Sequence, residues 1–229
     1  MSGITWLQPT DPPAALPATS RALREPNGLL AVGGALTSDW LIHAYRHGIF
    51  PWFSSGQPIL WWAPDPRAVL APAEFHISRS LARSLRRRGY QTRIDTAFVA
   101  VIDACAGPRA GMPGTWITDE MRNAYVELHR RGLAHSIETW REDSLVGGLY
   151  GVALGRAFFG ESMFSRATDA SKVALARLVQ ECLRLEVPLI DCQLPSPHLA
   201  SLGSKDMARS DFEARLATLV DRQPPLWRE

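Results

Sequence analysis

Two stretches decide the reading of this chain: LVGGLYGVALGRAFFGESMFSR, residues 145–166, and LIDCQLPSPHLASLGSKDMAR, residues 189–209. Each begins as an apolar strand that carries polar residues into apolar surroundings. Side chains alternate across a strand, so Asp191 and Gln193 are expected on one face, with Ile190 and Cys192 on the other. A buried polar group left unpaired costs on the order of 1–3 kcal/mol, and a strand that keeps Asp191 and Gln193 therefore needs partners for them. Glu161 poses the same question in the first stretch. Gly155-Arg156 reads as a hairpin turn between strands at 145–154 and 157–164. Gly147, Gly148, Gly151, Gly155 and Gly160 thin that hairpin, which predicts room for a substrate backbone against the sheet. Between the two stretches, ASKVALARLVQECLRLEVP predicts a helix with Leu175, Leu178, Val179, Cys182 and Leu185 on one apolar face, stopped by Pro188.

Working outward, strands and helices alternate from about residue 66: a strand at 67–70, an arginine-rich helix, helices at 97–105 and 119–131, and a strand at 136–140. This alternation predicts an α/β fold with a mixed sheet flanked by helices, spanning residues 66–229. Residues 1–65 read as a small N-terminal domain. Within it a helix starts at Thr37 or Ser38, stops at Gly48, and turns Trp40, Leu41, Ala44 and Tyr45 inward. Residues 1–20, rich in Pro, Ala and Thr, read as a loosely packed lead-in.

A chain of 229 residues with 46% hydrophobic and 21% charged residues fits a globular protein with a substantial core. No apolar run reaches the length of a membrane span, and the N-terminus has neither a basic start nor an apolar signal core; no membrane association and a cytoplasmic location are expected. Cys105, Cys182 and Cys192 form no paired framework, which predicts reduced thiols. Net charge is only +2, yet positive charge clusters on the helix capped by Ser78, where Arg79, Arg83, Arg86 and Arg87 share a side and Leu81 and Leu85 anchor the other. Most charge runs are solvated faces; here nearly all the charge is arginine, whose planar donors suit phosphate oxygens.

Tryptophans at 52, 61, 62 and 116 are mostly core candidates individually, but an exposed indole beside such a helix suits a nucleotide base. His43 and His47 lack the intervening Glu of a metalloprotease helix, no other spacing suits a metal, and no glycine loop suits a dinucleotide or ATP. No metal and no cofactor are expected.

Nine motifs in order, REPNGLLAVGG, GIFPWF, WWAPDPRAVL, GTWIT, AHSIETW, GGLYGVALGRAFFGESMFSR, ASKVAL, IDCQ and HLASLGS, give the chain a resemblance to the leucyl/phenylalanyl-tRNA-protein transferase family from Leu23 to Phe212. The resemblance implies a GNAT-like acyltransferase domain behind the small N-terminal one. It implies transfer of Leu, Phe and also Met from aminoacyl-tRNA to proteins with N-terminal Arg or Lys, marking them for N-end rule degradation. It further implies that Trp52 and Trp116 hold the 3′-terminal adenosine, that the 79–88 arginines meet the acceptor stem, and that Leu149, Phe158, Met163, Leu175, Leu178, Cys182 and Ile190 line the amino-acid pocket.

The donor is an activated ester and the attacking α-amine titrates near ~8, so orientation and proton handling suffice. Asp191 with Gln193 is the expected acceptor or relay of the amine proton, and Glu161 the holder of the aminoacyl amino group or the ribose. A rival reading gives the proton to the ribose 2′-hydroxyl and leaves Asp191 to bind the acceptor N-terminus. Two other functions compete. An acyl-CoA N-acetyltransferase shares the fold, but the segment after GESMFSR lacks the glycine turn that cradles a CoA pyrophosphate; a noncatalytic RNA-binding module leaves Glu161, Asp191 and Gln193 without a purpose. A monomer is expected.

Overall fold

The computed structural model describes residues 3–107 and 117–227. Its N-terminal part holds β1 (Thr5–Leu7), β2 (Leu29–Gly33), α1 (Ser38–Arg46), β3 (Phe50–Pro51) and β4 (Leu60–Trp62), whose strands form a sheet in the order β1-β2-β4-β3. The lead-in is not loosely packed. β1 pairs in parallel with β2, and Leu7 and Leu16 are buried. Three residues are too short for a periodic signal, and the flanking prolines disguise the strand. In α1 the Thr37 hydroxyl accepts from the Trp40 N–H at 3.4 Å, and Trp40, Leu41, Ala44 and Tyr45 are buried.

The remainder supplies β5 (Arg67–Leu70), α2 (Arg79–Arg87), β6 (Tyr90–Ile94), α3 (Phe98–Ala106), α4 (Asp119–Arg130), β7 (Ala134–Arg141), β8 (Ser144–Leu154), β9 (Ala157–Ser165), α5 (Ala170–Arg184), β10 (Leu189–Gln193), α6 (Pro197–Ala200), β11 (Lys205–Met207) and α7 (Arg209–Ala217). Seven strands make one mixed sheet in the order β11-β5-β10-β9-β8-β7-β6. Only β9 and β10 pair in parallel, joined by α5; the other neighbours are antiparallel. The fold is mixed α/β. One hydrophobic cluster runs from Trp40 and Phe50 of the N-terminal part to Phe98, Tyr125 and Phe159, so packing is continuous across residue 65.

Two expectations about local packing are corrected. The hairpin glycines mainly admit the protein's own chain: a Cβ at Gly147 would lie 2.5 Å from the Ala170 Cβ, and one at Gly151 would lie 2.2 Å from the Phe159 carbonyl oxygen. They let α5 and β9 close onto β8. On α2, Leu81 is buried as expected but Leu85 is exposed, and Ser84 takes the inward position, donating to Asp169 at 2.7 Å at the start of α5. The same bond pulls the Asp169 carboxyl below its usual range, with Lys172 adding to the effect.

Candidate active site

Glu161 projects from β9 into a polar knot assembled from three elements. Tyr45 from α1 donates to its Oε1 at 2.7 Å, Tyr125 from α4 donates to its Oε2 at 2.8 Å, and the Gln193 amide from β10 reaches Oε1 at 2.9 Å. The two phenol oxygens are themselves 2.5 Å apart. Glu161 is 9% exposed and both tyrosines are fully buried. Burial raises the Glu161 carboxyl from 4.5 to about 7, against the opposing pull that tyrosine donation exerts on its ionised form; Asp191 adds a further push upward and Arg67 a pull downward. Burial, followed by the charge of Glu161, holds both phenols well above their ordinary range. A carboxyl that titrates near neutrality at the edge of a cavity suits proton exchange with a substrate.

Asp191 lies in quite different company. Arg67 of β5 grips it with a two-pronged ion pair, Nε to Oδ1 at 2.8 Å and Nη2 to Oδ2 at 2.6 Å, and both side chains are 1% exposed. The guanidinium also donates to the Gly48 carbonyl at 2.9 Å and lies between the rings of Phe50 and Phe212, 4.8 and 4.7 Å from their centroids. Both Asp191 oxygens thus have protein partners, and the register of β10 against β5 shifts between Asp191 and Gln193, where Gln193 adopts φ 65°. Strict alternation fails at that bulge. Asp191 Oδ1 accepts the Gln193 backbone N–H at 2.9 Å, so it holds the bend that carries the Gln193 side chain to Glu161. Arg67, Tyr45 and Tyr125 were not picked out as site residues by sequence reasoning.

A cavity of about 250 Å³ opens beside the knot. Leu149, Met163, Leu175, Leu178 and Ile190 give it an apolar wall, and Glu161, Gln193 and His198 a polar end. Burial, then Lys172, lowers the His198 imidazole below its ordinary value. Of the glycines read as substrate clearance, only Gly160 is on the wall. Phe158 and Cys182, expected there, are fully buried in the core beneath it, where α5 packs on the sheet. Cys192 does reach the cavity, but burial pushes its thiol up to about 12, which leaves it a poor nucleophile.

Elsewhere, Trp52 is 41% exposed and its ring centroid lies 5.7 Å from that of Trp62, whose indole N–H donates to the Trp52 carbonyl. Trp116 lies outside the described residues. Arg79, Arg83, Arg86 and Arg87 are all exposed on α2, and the Ser78 hydroxyl caps the helix by accepting from the Leu81 N–H. Among the described residues no group of three or more His, Cys, Asp or Glu could hold a metal ion, and no helix is long and apolar enough to cross a membrane.

Residues 34–65 match the family model described as "Leucyl/phenylalanyl-tRNA protein transferase N-terminal domain", and residues 69–217 the model described as "Leucyl/phenylalanyl-tRNA protein transferase". A protein of Azoarcus sp. (strain BH72) named leucyl/phenylalanyl-tRNA--protein transferase is 57% identical over 222 residues, 97% of this chain and 93% of its own. One of the same name from Pseudomonas fluorescens (strain Pf0-1) is 56% identical, covering 96% of each chain. Among solved structures the likenesses are loose: L-PGS from Bacillus licheniformis at TM-score 0.40 and 14% identity, over 81% of this chain and 62% of that one, and a GCN5-related N-acetyltransferase from Kribbella flavida at 0.39 and 11%, over 72% and 59%. The chain belongs to the leucyl/phenylalanyl-tRNA protein transferase family and is an aminoacyltransferase.

Proposed function

We propose that this protein moves Leu or Phe, and also Met, from aminoacyl-tRNA to the α-amino group of proteins that begin with Arg or Lys, marking them for N-end rule degradation, and that it works as a cytoplasmic monomer without a cofactor. The observation that carries this reading is a cavity with an apolar wall and a carboxyl at its polar end. An unbranched-at-β side chain lies along Leu149, Met163, Leu175, Leu178 and Ile190, while its amino group meets Glu161 and Gln193. Methionine at the wall adapts to Leu or Phe, whereas a β-branch would meet the strand backbone. Trp52, together with Trp116, stacks the terminal adenosine, and the exposed arginines of α2 meet acceptor-stem phosphates.

The acyl carbon passes from the ribose oxygen to the incoming amine nitrogen. One C–O bond breaks, one C–N bond forms, and the proton leaving nitrogen ends on the ribose hydroxyl. Glu161 and Gln193 touch the reacting groups; Asp191 and Arg67 position Gln193. Mass spectrometry of an Arg-starting peptide incubated with Leu-tRNA or Phe-tRNA should show a gain of one Leu or Phe residue, with none on a Glu-starting control. No gain with intact aminoacyl-tRNA contradicts the reading, and an acetyl gain from acetyl-CoA replaces it.

A further inference from the structure

Glu161, Tyr45 and Tyr125 make three mutual contacts of 2.7, 2.8 and 2.5 Å, all within the range of O–H···O hydrogen bonds. Each such contact needs one hydrogen. Two phenols and an ionised carboxylate supply two. If both phenols donate to the carboxylate, the 2.5 Å contact sets the lone pairs of two oxygens against each other. Ionising a phenol deepens the shortage, and burial disfavours it. A neutral carboxylic acid supplies the third hydrogen.

Gln193 fixes the direction of the chain. Its amide donates to Oε1, which makes Oε1 the carbonyl oxygen and places the acid hydrogen on Oε2. In the neutral acid the Tyr125 contact therefore runs opposite to the direction it takes with an ionised carboxylate: Oε2–H donates to Tyr125, Tyr125 to Tyr45, and Tyr45 back to Oε1. Every donor and acceptor is used once around the ring, an arrangement in which each bond polarises the next. The surroundings agree: Asp191 disfavours a second negative charge nearby, Arg67 is already committed to Asp191, Tyr150 of β8 adjoins Tyr125, and His198 lines the same cavity as Glu161.

We propose that Glu161, Tyr45 and Tyr125 form a closed three-hydrogen ring that keeps Glu161 a neutral acid in the unliganded protein below neutral pH, and that seating a cationic amino group beside it there releases a proton to solvent. The release rests on the reading of this cavity as the seat of an aminoacyl ester; the ring does not. Written out, the neutral acid and an ammonium ion become a carboxylate-ammonium pair plus one free proton. Tyr45 and Tyr125 thereby act through Glu161 as positioning residues.

Carbon-13 NMR of glutamate carboxyls, with Glu161→Gln to assign the resonance, tests the ring. In wild type the resonance should titrate near neutrality. Tyr45→Phe distinguishes the ring from simple donation: the neutral form loses two ring contacts and the ionised form one donor and a lone-pair clash, so the midpoint should fall toward the ordinary carboxylate range. A rise or no change overturns the proposal, as does a wild-type midpoint in that ordinary range. Calorimetric binding of a non-reactive amide analogue of leucyl-adenosine, in two buffers of different ionisation heat below neutral pH, should release about one proton per ligand in wild type and none in Glu161→Gln. Binding without release overturns the proposal. Absence of binding, with the titration as described, counts against the proposed function and leaves the ring standing.

Discussion

Two buried carboxylates sit on neighbouring strands of one sheet, and their partners make them different chemical objects. Asp191 faces a guanidinium that satisfies both of its oxygens and is itself clamped between two aromatic rings. Glu161 faces two phenols and an amide, partners that hydrogen-bond to it but bring no charge. The first arrangement fixes a charge and, through the Gln193 N–H, a backbone bend. The second leaves the charge uncompensated and therefore negotiable. Burial alone does not make a carboxyl reactive; burial among neutral donors at a cavity edge does.

The comparison breaks most easily at Arg67. Replacing it with alanine strands Asp191 in the core, and unfolding by denaturant should show a loss of about 3–5 kcal/mol; a loss below about 1 kcal/mol would mean the pair is not the lock described. Glu161 should instead reveal itself through pH. Its carboxyl is raised in the folded protein, so the folded state binds more protons than the unfolded between 4.5 and about 7. Stability should therefore be highest at the acid side of that window, fall by roughly 3 kcal/mol as pH rises through it, and level off above. Glu161→Gln should flatten that segment, and an unchanged slope in the variant would assign it to other groups.

Smaller changes sharpen the contrast. Leu178→Phe narrows the cavity beside Glu161 without touching Asp191. Competition between Leu-tRNA and Phe-tRNA should shift toward Leu by roughly 10- to 200-fold, the range set by about a methylene or more of lost space. Phe212→Leu removes one face of the guanidinium clamp and should cost about 1 kcal/mol in thermal unfolding, with the selectivity of transfer unaltered.

Much of this site was legible because the signal was one of conflict: Glu161, Asp191 and Gln193 are polar residues in strands otherwise built for burial. Arg67 gave the same signal, a charge heading the apolar strand Arg67–Leu70, and the rule that picked out Asp191 would have found it. Tyr45 and Tyr125 could not be found that way. Each looks like an ordinary aromatic on the inner side of an amphipathic helix, and periodicity within α1 or α4 says nothing about which helix meets which strand. The bend at Gln193 was hidden for a related reason: alternation assumes an unbroken register, and here the register shifts where Asp191 accepts the Gln193 N–H. Phe158 and Cys182 were misplaced on the cavity wall because an apolar helix face and the strand beneath it offer more inward positions than the cavity has surface.

The division of labour between the two carboxylates is tested most directly by the pH dependence of kcat/KM for transfer from Leu-tRNA to an Arg-starting peptide, in wild type, Glu161→Gln and Asp191→Asn, at a temperature where circular dichroism shows all three folded. The account predicts an inflection near the Glu161 value of about 7 that vanishes in Glu161→Gln and persists, at reduced rate, in Asp191→Asn. An inflection that survives in Glu161→Gln and disappears in Asp191→Asn would contradict it.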